Sequence, residues 1–300
     1  MYLPVDGEAY CGGLPPSWKE TIKAADEVVA YTDYGKRAIS KTVADINNRV
    51  KIVYHGVDHN IYKPYDKERA LRMRRSIGIS DDIVLFLMVA RNQFRKNIPE
   101  FCKGWRLFRD KVSPAKNALF MPHMAFGDAM GWNLWDVFSM YGMMREIVYI
   151  EEVAKATKNL NSLPENRLAD IYNMADVVVM MGGEGFGLPT LEAMACGKPV
   201  IAIDHSANTE IVKGRGALVN VGCYVTGSHG TERPLPDVED LSNKLELLYK
   251  DADLREAYGK KSLEFAKTLS WDSLMGEWDA IVRQTLNPFE FGEIIAERVG

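Results

Sequence analysis

Three hundred residues, 47% hydrophobic and 26% charged, are enough for roughly two folded domains with real cores. Charge is mixed, 37 basic against 41 acidic residues for a net −4, which excludes nucleic-acid recognition by bulk electrostatics and makes any anion site local. Cys11, Cys102, Cys196 and Cys223 are scattered with no Cys-x-x-Cys pair, and the chain opens without a secretory signal, so reduced thiols, no zinc and a cytoplasmic setting are expected.

In chain order, MYLPVDG (1–7), EVVAYT (27–32) and VKIVYHG (50–56) read as strands, with the amphipathic DYGKRAISKTVADI between the last two. The connector HGVDHNIYKPYD, carrying Gly56 and Pro64 and no apolar periodicity, predicts a domain linker. A helix near 66–77 leads into the apolar run IVLFLMVA from Ile83, the loop RNQFRKN and a helix over about 98–112. Further strands are predicted at NALFMP, REIVYI, ADVVVMM, KPVIAI and GALVNV, six with IVLFLMVA, and helices near 131–142, 164–174, 189–196 and 208–212. Residues 221–237, turn-rich through Gly227, Gly230, Pro234 and Pro236, predict a long unpatterned loop that serves as a lid or a mobile excursion. Three helical segments close the chain, DVEDLSNKLELLYK, LREAYGKKSLEFAKTL and WDSLMGEWDAIVRQTL. No apolar run approaches the ~20 residues of a membrane span.

Strands alternating with helices define an α/β chain with parallel sheets. The expected division is a partial Rossmann-like domain over 1–60, a complete Rossmann-like domain over 61–270, and a C-terminal helix over 271–300 that returns to the first domain. The residues before the connector are too few for a doubly wound domain of ordinary size.

The stretch GGEGFGLPTLE, residues 182–192, is the chemical focus. The G-x-G-x-x-G fingerprint fails at Leu188, and no Walker loop is present because Gly197-Lys198 follows the helix instead of opening it. Strand ADVVVMM nevertheless delivers this loop to the sheet's carboxyl edge, where Gly185 and Gly187 allow close backbone approach and Pro189 suits the first helical position. Helix-terminal amides favour a phosphate by only about 0.3–1 kcal/mol, up to about 2 when partly buried, so cations are needed too. Arg91, Arg95 and Lys96 in RNQFRKN are placed to supply them, although a solvated basic loop reads the spacing equally well.

Two carboxylates, Glu184 and Glu192, stand beside this anion site. Each can accept hydrogen bonds from vicinal hydroxyls, so a ligand with phosphates between two sugars would use both. Helix-dipole compensation by Glu192 and simple solvation of Glu184 explain the same residues without a ligand.

On Glu184-x7-Glu192 in EGFGLPTLEAMACGKPVIA, with Arg91 and Lys96 in VARNQFRKN, HGVD at 55–58 and the ANTE text at 207–210, the chain resembles the retaining nucleotide-sugar glycosyltransferases of family 4, or group 1. That family has the two-domain GT-B architecture, and the resemblance covers nearly everything after Pro4. It implies a nucleotide-diphosphate sugar as donor substrate, no metal and no other cofactor. Arg91 and Lys96 would neutralise the diphosphate, Glu192 would hold the ribose, and Glu184 with the amides of Phe186, Gly187 and Leu188 would orient the sugar. Arg91, Lys96 and Glu184 are the implied catalytic residues, and the implied donor site continues through Gly185, Pro189 and Thr190 to Glu192.

Asp251-Ala-Asp253 spells the D-x-D of metal-dependent transferases, but its place between helical patterns predicts a cap. His55, His123 and His205 are expected at a turn and at strand ends, outside catalysis, and Cys11-Gly12-Gly13 reads as a loop. Family members carry an acceptor pocket, a glycine-rich loop and a histidine in the N-terminal domain, and this chain is expected to begin beyond them. The partners left open are therefore a glycan, lipid or small-molecule acceptor, a second copy or partner chain supplying the rest of that domain, and peripheral membrane contact. A non-catalytic nucleotide-sugar-binding module, or a related epimerase or phosphorylase, are the competing functions. Base contacts are expected from backbone around residues 151–163.

Overall fold

The computed structural model describes residues 1–112, 117–150 and 163–286. Among them the chain forms two parallel sheets and one antiparallel hairpin. The smaller sheet has the order β1 (Tyr2–Leu3), β2 (Val28–Ala30), β3 (Val50–Ile52), with Val28 opposite Val50. Helix α1 (Lys19–Lys23) precedes β2, and α2 (Asp33–Thr42) follows it, capped by the Thr32 side chain and burying Ala38 and Ile39.

The larger sheet contains β4 (Val84–Val89), β5 (Ala118–His123), β6 (Val177–Met180), β7 (Val200–Ile203) and β8 (Ala217–Val219), in the order β5-β4-β6-β7-β8. Its strands are nearly continuous apolar runs because helices cover both faces. The period of two is visible within β4: Leu85, Leu87 and Val89 join one core, Phe86 and Met88 the other. The first core is closed by α6 (Glu165–Met174), α7 (Leu188–Ala195) and α8 (Ala207–Val212), and Ala266 from α10 (Ala252–Lys267). The second packs α4 (Ile98–Lys111), α5 (Leu134–Met140) and α9 (Val238–Lys250) around Trp105 and Phe120. The remaining helices are α3 (Lys67–Ser76), capped by Asp66, and α11 (Trp271–Thr285).

The chain runs outward from β4 to β5 and then returns past β4 to β6. The loops leaving β4 and β6 therefore diverge to opposite faces at the carboxyl edge, and the crevice between them is where open α/β sheets hold ligands.

Two expected elements differ. REIVYI forms no strand; Ile147 makes a single bridge with Phe120, whose N–H and C=O bond to Glu146 and Val148, so the described sheet has five strands. Trp105 and Arg109 both hold the Glu146 side chain, which pins this stretch at the sheet edge. Residues 221–237 are ordered as a hairpin, β9 (Val221–Thr226) with β10 (Glu232–Pro236). Pro234 and Pro236 are tolerated because β10 pairs on one side only and carries an irregularity at Leu235/Pro236.

The connector is anchored: the Val57 N–H donates to Leu269 O at 2.9 Å, and buried Tyr62 joins the first core. Helix α11 reaches the small sheet, where Ile281 packs with Val29 and Val53 and Trp278 lies edge-on to Tyr2 at 4.7 Å. The rest of the expected returning segment, 287–300, lies outside the described residues, as do 151–162 of the expected base-contact backbone. Asp251 caps α10 by accepting from the Leu254 N–H at 2.8 Å. Among the described residues no helix is long and apolar enough to cross a membrane.

Candidate functional site

The loop after β4 turns through a short 3-10 segment (Phe94–Lys96) and is fixed by Asn97, which adopts a left-handed φ of 54°. The Asn97 side-chain amide donates to Met181 O at 2.8 Å and to Pro234 O at 2.7 Å, tying this loop to the β6 loop and to the hairpin. The β6 loop is held from the other side. Asn208 donates to Gly182 O at 2.9 Å, and Ser206 both accepts from the Glu184 N–H at 3.0 Å and donates to Glu184 O at 2.9 Å.

Between the clamped loops the Lys96 ammonium donates to the Glu184 carboxylate, with both side chains buried. The Arg95 guanidinium lies 3.8 Å from the second Glu184 oxygen and donates to Gly183 O at 3.2 Å. Burial pushes the Lys96 ammonium below its ordinary pKa, while the neighbouring Glu184 charge opposes that shift.

Helix α7 opens at Gly187, whose φ is 94°, with no side-chain cap. The amides of Thr190 and Leu191 bond to Gly187 O at 2.9 and 3.1 Å, and those before them are the ones an α-helix leaves without internal partners. Pro189 occupies the second helical position, one later than expected. Thr190 is buried with its hydroxyl unpartnered, beneath Gly187. Glu192, one turn further on, accepts from the Tyr172 hydroxyl at 2.7 Å, and burial raises its carboxyl pKa. Phe186 is buried and packs 5.1 Å from the His55 ring.

Arg91 stands apart. Its side chain is 62% exposed and pairs with Asp128 at 3.0 Å, so the structure brings Lys96, Arg95 and Glu184 together and leaves Arg91 at the rim.

The glycines of the loop approach the chain's own residues as well. A Cβ on Gly185 would lie 2.7 Å from Pro4 Cβ, and one on Gly183 would lie 2.7 Å from Asp6 O. Residues 4–8, which leave the carboxyl end of β1, thus lie against the β6 loop. They are secured by the Glu232 N–H donating to Glu8 O at 2.7 Å and by an Asp6–Arg233 ion pair at 2.6 Å. Asp6 also sits 3.9 Å from Arg95. Sequence reasoning missed Asp6, because PVDG reads locally as a strand followed by a turn. Glu210 makes a second clasp between the halves, accepting from the Asp33 N–H at 3.1 Å and from the Tyr54 hydroxyl.

His55 sits among Tyr31, Tyr2 and Trp271, edge-on to Tyr31 at 4.4 Å, and burial lowers its pKa. Burial also lowers His205, and lowers His123, at the end of β5, to about 4.

The model of the family "Glycosyl transferases group 1" matches residues 139–265. Among curated proteins, the D-inositol 3-phosphate glycosyltransferase of Kribbella flavida is 26% identical over 85% of this chain and 55% of its own length. That of Actinosynnema mirum is 27% identical over 85% and 56%. The chain thus spans about half the length of the curated relatives it matches. Sucrose-phosphate synthase from Thermosynechococcus elongatus superposes with a TM-score of 0.69 at 19% identity, over 89% of this chain and 60% of that one. The Anabaena protein HepE, solved with UDP and glucose, gives 0.68 at 16% identity, over 91% and 68%. The paired parallel sheets and these likenesses agree: the chain has the GT-B fold, and over residues 139–265 it is similar to the group 1 glycosyltransferases.

Proposed function

We propose that the chain carries the donor site of a cytoplasmic glycosyltransferase that moves a sugar from a nucleotide-diphosphate sugar to an acceptor hydroxyl with retention of anomeric configuration. The observation that carries this reading is the Lys96–Glu184 pair at the crevice between the β4 and β6 loops, next to the uncapped start of α7. Lys96, the α7 amides and Arg91, once it leaves Asp128, neutralise the diphosphate. Glu192 accepts hydrogen bonds from the ribose hydroxyls beside Tyr172. Glu184, with the amides of Phe186, Gly187 and Leu188, orients the donor sugar.

In the transfer step the bond from the anomeric carbon to the diphosphate oxygen breaks and a bond to the acceptor oxygen forms on the same face of the sugar. The acceptor proton passes to the leaving phosphate oxygen. Negative charge grows on the diphosphate as that bond lengthens, and preorganised cations and amides stabilise it most at that point. The chain's own charges supply this stabilisation in the proposed mechanism, with the nucleotide sugar as substrate and no further cofactor.

A second reading, a nucleotide-sugar-binding module without turnover, is favoured by the crowding of residues 4–8 against Gly183 and Gly185. Calorimetry against UDP, GDP and ADP sugars, followed by an assay of slow donor hydrolysis, separates the two. Binding with hydrolysis supports the transferase, binding without it supports the module, and no binding by any donor removes both.

A further inference from the structure

The ordered hairpin and the 93–97 loop enclose a cavity none of whose lining residues has a role in the proposed donor site. It has a volume of about 440 Å³, within the range of small-molecule sites, and lies between the 93–97 loop and the turn joining β9 to β10. Three of its lining residues, Arg95, Arg233 and His229, are basic, and none is acidic. Beside them the lining is apolar and open: Phe94 is 54% exposed, Met130 58% and Val225 45%. Isolated exposed apolar residues need no explanation, but three gathered around one basic cavity do.

The connection to the proposed reaction centre runs through Arg95. The same guanidinium that lines the cavity stands 3.8 Å from Glu184. Arg233 is held in place by Asp6, which is not itself among the lining residues. Glu192 and Tyr172, where the nucleoside is proposed to bind, belong to α7 and α6, and neither helix contributes a residue to the cavity.

We propose that this cavity is a second ligand subsite, distinct from the donor pocket, for a small molecule that joins an anionic group, a phosphate ester or a carboxylate, to an apolar face. The guanidinium groups of Arg95 and Arg233 receive the anion, and Phe94, Met130 and Val225 receive the apolar body. On the transferase reading this ligand is the acceptor, since the subsite reaches Glu184 through Arg95 and shares no residue with the helices that hold the nucleoside. That identification rests on the proposed function; the subsite itself does not.

The test is calorimetric titration of phenyl phosphate, benzoate and phenol into the full chain, with and without saturating UDP. Either anion should bind at least tenfold more tightly than phenol and should still bind with UDP present; phenyl phosphate against benzoate tells which anion is preferred. Ser228→Trp, which fills the cavity from the turn, and Val225→Glu, which places a carboxylate in its wall, should each weaken anion binding at least tenfold while UDP affinity is unchanged. Displacement of the anion by UDP, or anion affinity unchanged in both variants, would overturn the subsite. If UDP, GDP and ADP sugars all fail to bind while the anion binds and responds to the variants, the donor reading falls and the subsite stands.

Discussion

Lys96 and Glu184, 88 residues apart, meet as a buried ion pair across the gap between the loops that leave β4 and β6. Each charge is removed from water, so each depends on the other. Lys96→Met alone should lower stability by about 3–5 kcal/mol in urea denaturation, because it strands a buried carboxylate. Lys96→Met combined with Glu184→Gln, which removes both charges, should recover most of that loss. A double variant as unstable as the single would show that the pairing is incidental.

Gly185 lies where a methyl group would meet Pro4 at 2.7 Å. Gly185→Ala should therefore cost about 1–3 kcal/mol through overpacking. Adding Pro4→Gly, which removes the opposing ring, should restore part of the loss. If the alanine variant matches the parent in thermal unfolding, residues 4–8 do not press on the loop in solution.

Stability should also follow pH through His123. Burial lowers its pKa from 6.5 to about 4, so the folded value lies below the unfolded one. The unfolded chain takes up this proton first as pH falls. The contribution is complete above about pH 6.5 and is lost as pH drops toward about 4, amounting to at most about 3 kcal/mol. His55 and His205, lowered by the same cause, add in the same direction. His123→Asn should flatten the decline between about pH 6.5 and about pH 5, and an unchanged slope would remove His123 as its source.

Glu192 behaves in the opposite sense. Burial raises its carboxyl pKa, so folding favours the protonated form, and its contribution to stability falls as pH rises from the ordinary carboxylate value through the raised one. Nucleotide binding should run the other way, because only the ionised carboxylate can accept from both ribose hydroxyls. Affinity for a nucleoside diphosphate should weaken on acidification through this raised pKa, and Glu192→Gln should lose most of that pH dependence. A wild-type affinity that does not vary there would remove Glu192 from the ribose site.

Sequence carried the fold wherever a residue's neighbours in the chain decide its environment. IVLFLMVA declared a buried strand, residues 66–77 a helix, and GFGLP the start of α7. It failed where distant partners decide. REIVYI has the composition of a strand, yet only Ile147 finds a bridge, on a stretch pinned through Glu146. The hairpin was hidden because Pro234 and Pro236 argue against a strand until one knows that β10 pairs on a single side. The site shows the same division. Glu184 and Lys96 could each be marked as chemically apt, but their pairing, the withdrawal of Arg91 to Asp128, and the place of Asp6 beside Arg95 and Arg233 depend on three loops converging.

Arg91 offers a test of how far the rim contributes. Paired with Asp128 and largely exposed, it must turn to reach a diphosphate. Arg91→Ala should weaken a nucleoside diphosphate well beyond its effect on the matching nucleoside in parallel titrations. Equal losses would take Arg91 out of the phosphate site.

The central claim, that the β4/β6 crevice holds a nucleotide-diphosphate sugar, is tested most directly by titrating UDP-, GDP- and ADP-glucose into the wild-type chain and the Glu192→Ala variant. The account predicts that at least one binds the wild type and that the variant loses about 1–3 kcal/mol of that binding, as expected when a partly buried hydrogen-bond acceptor is removed. Absence of binding by all three, or equal affinity in the variant, would contradict it.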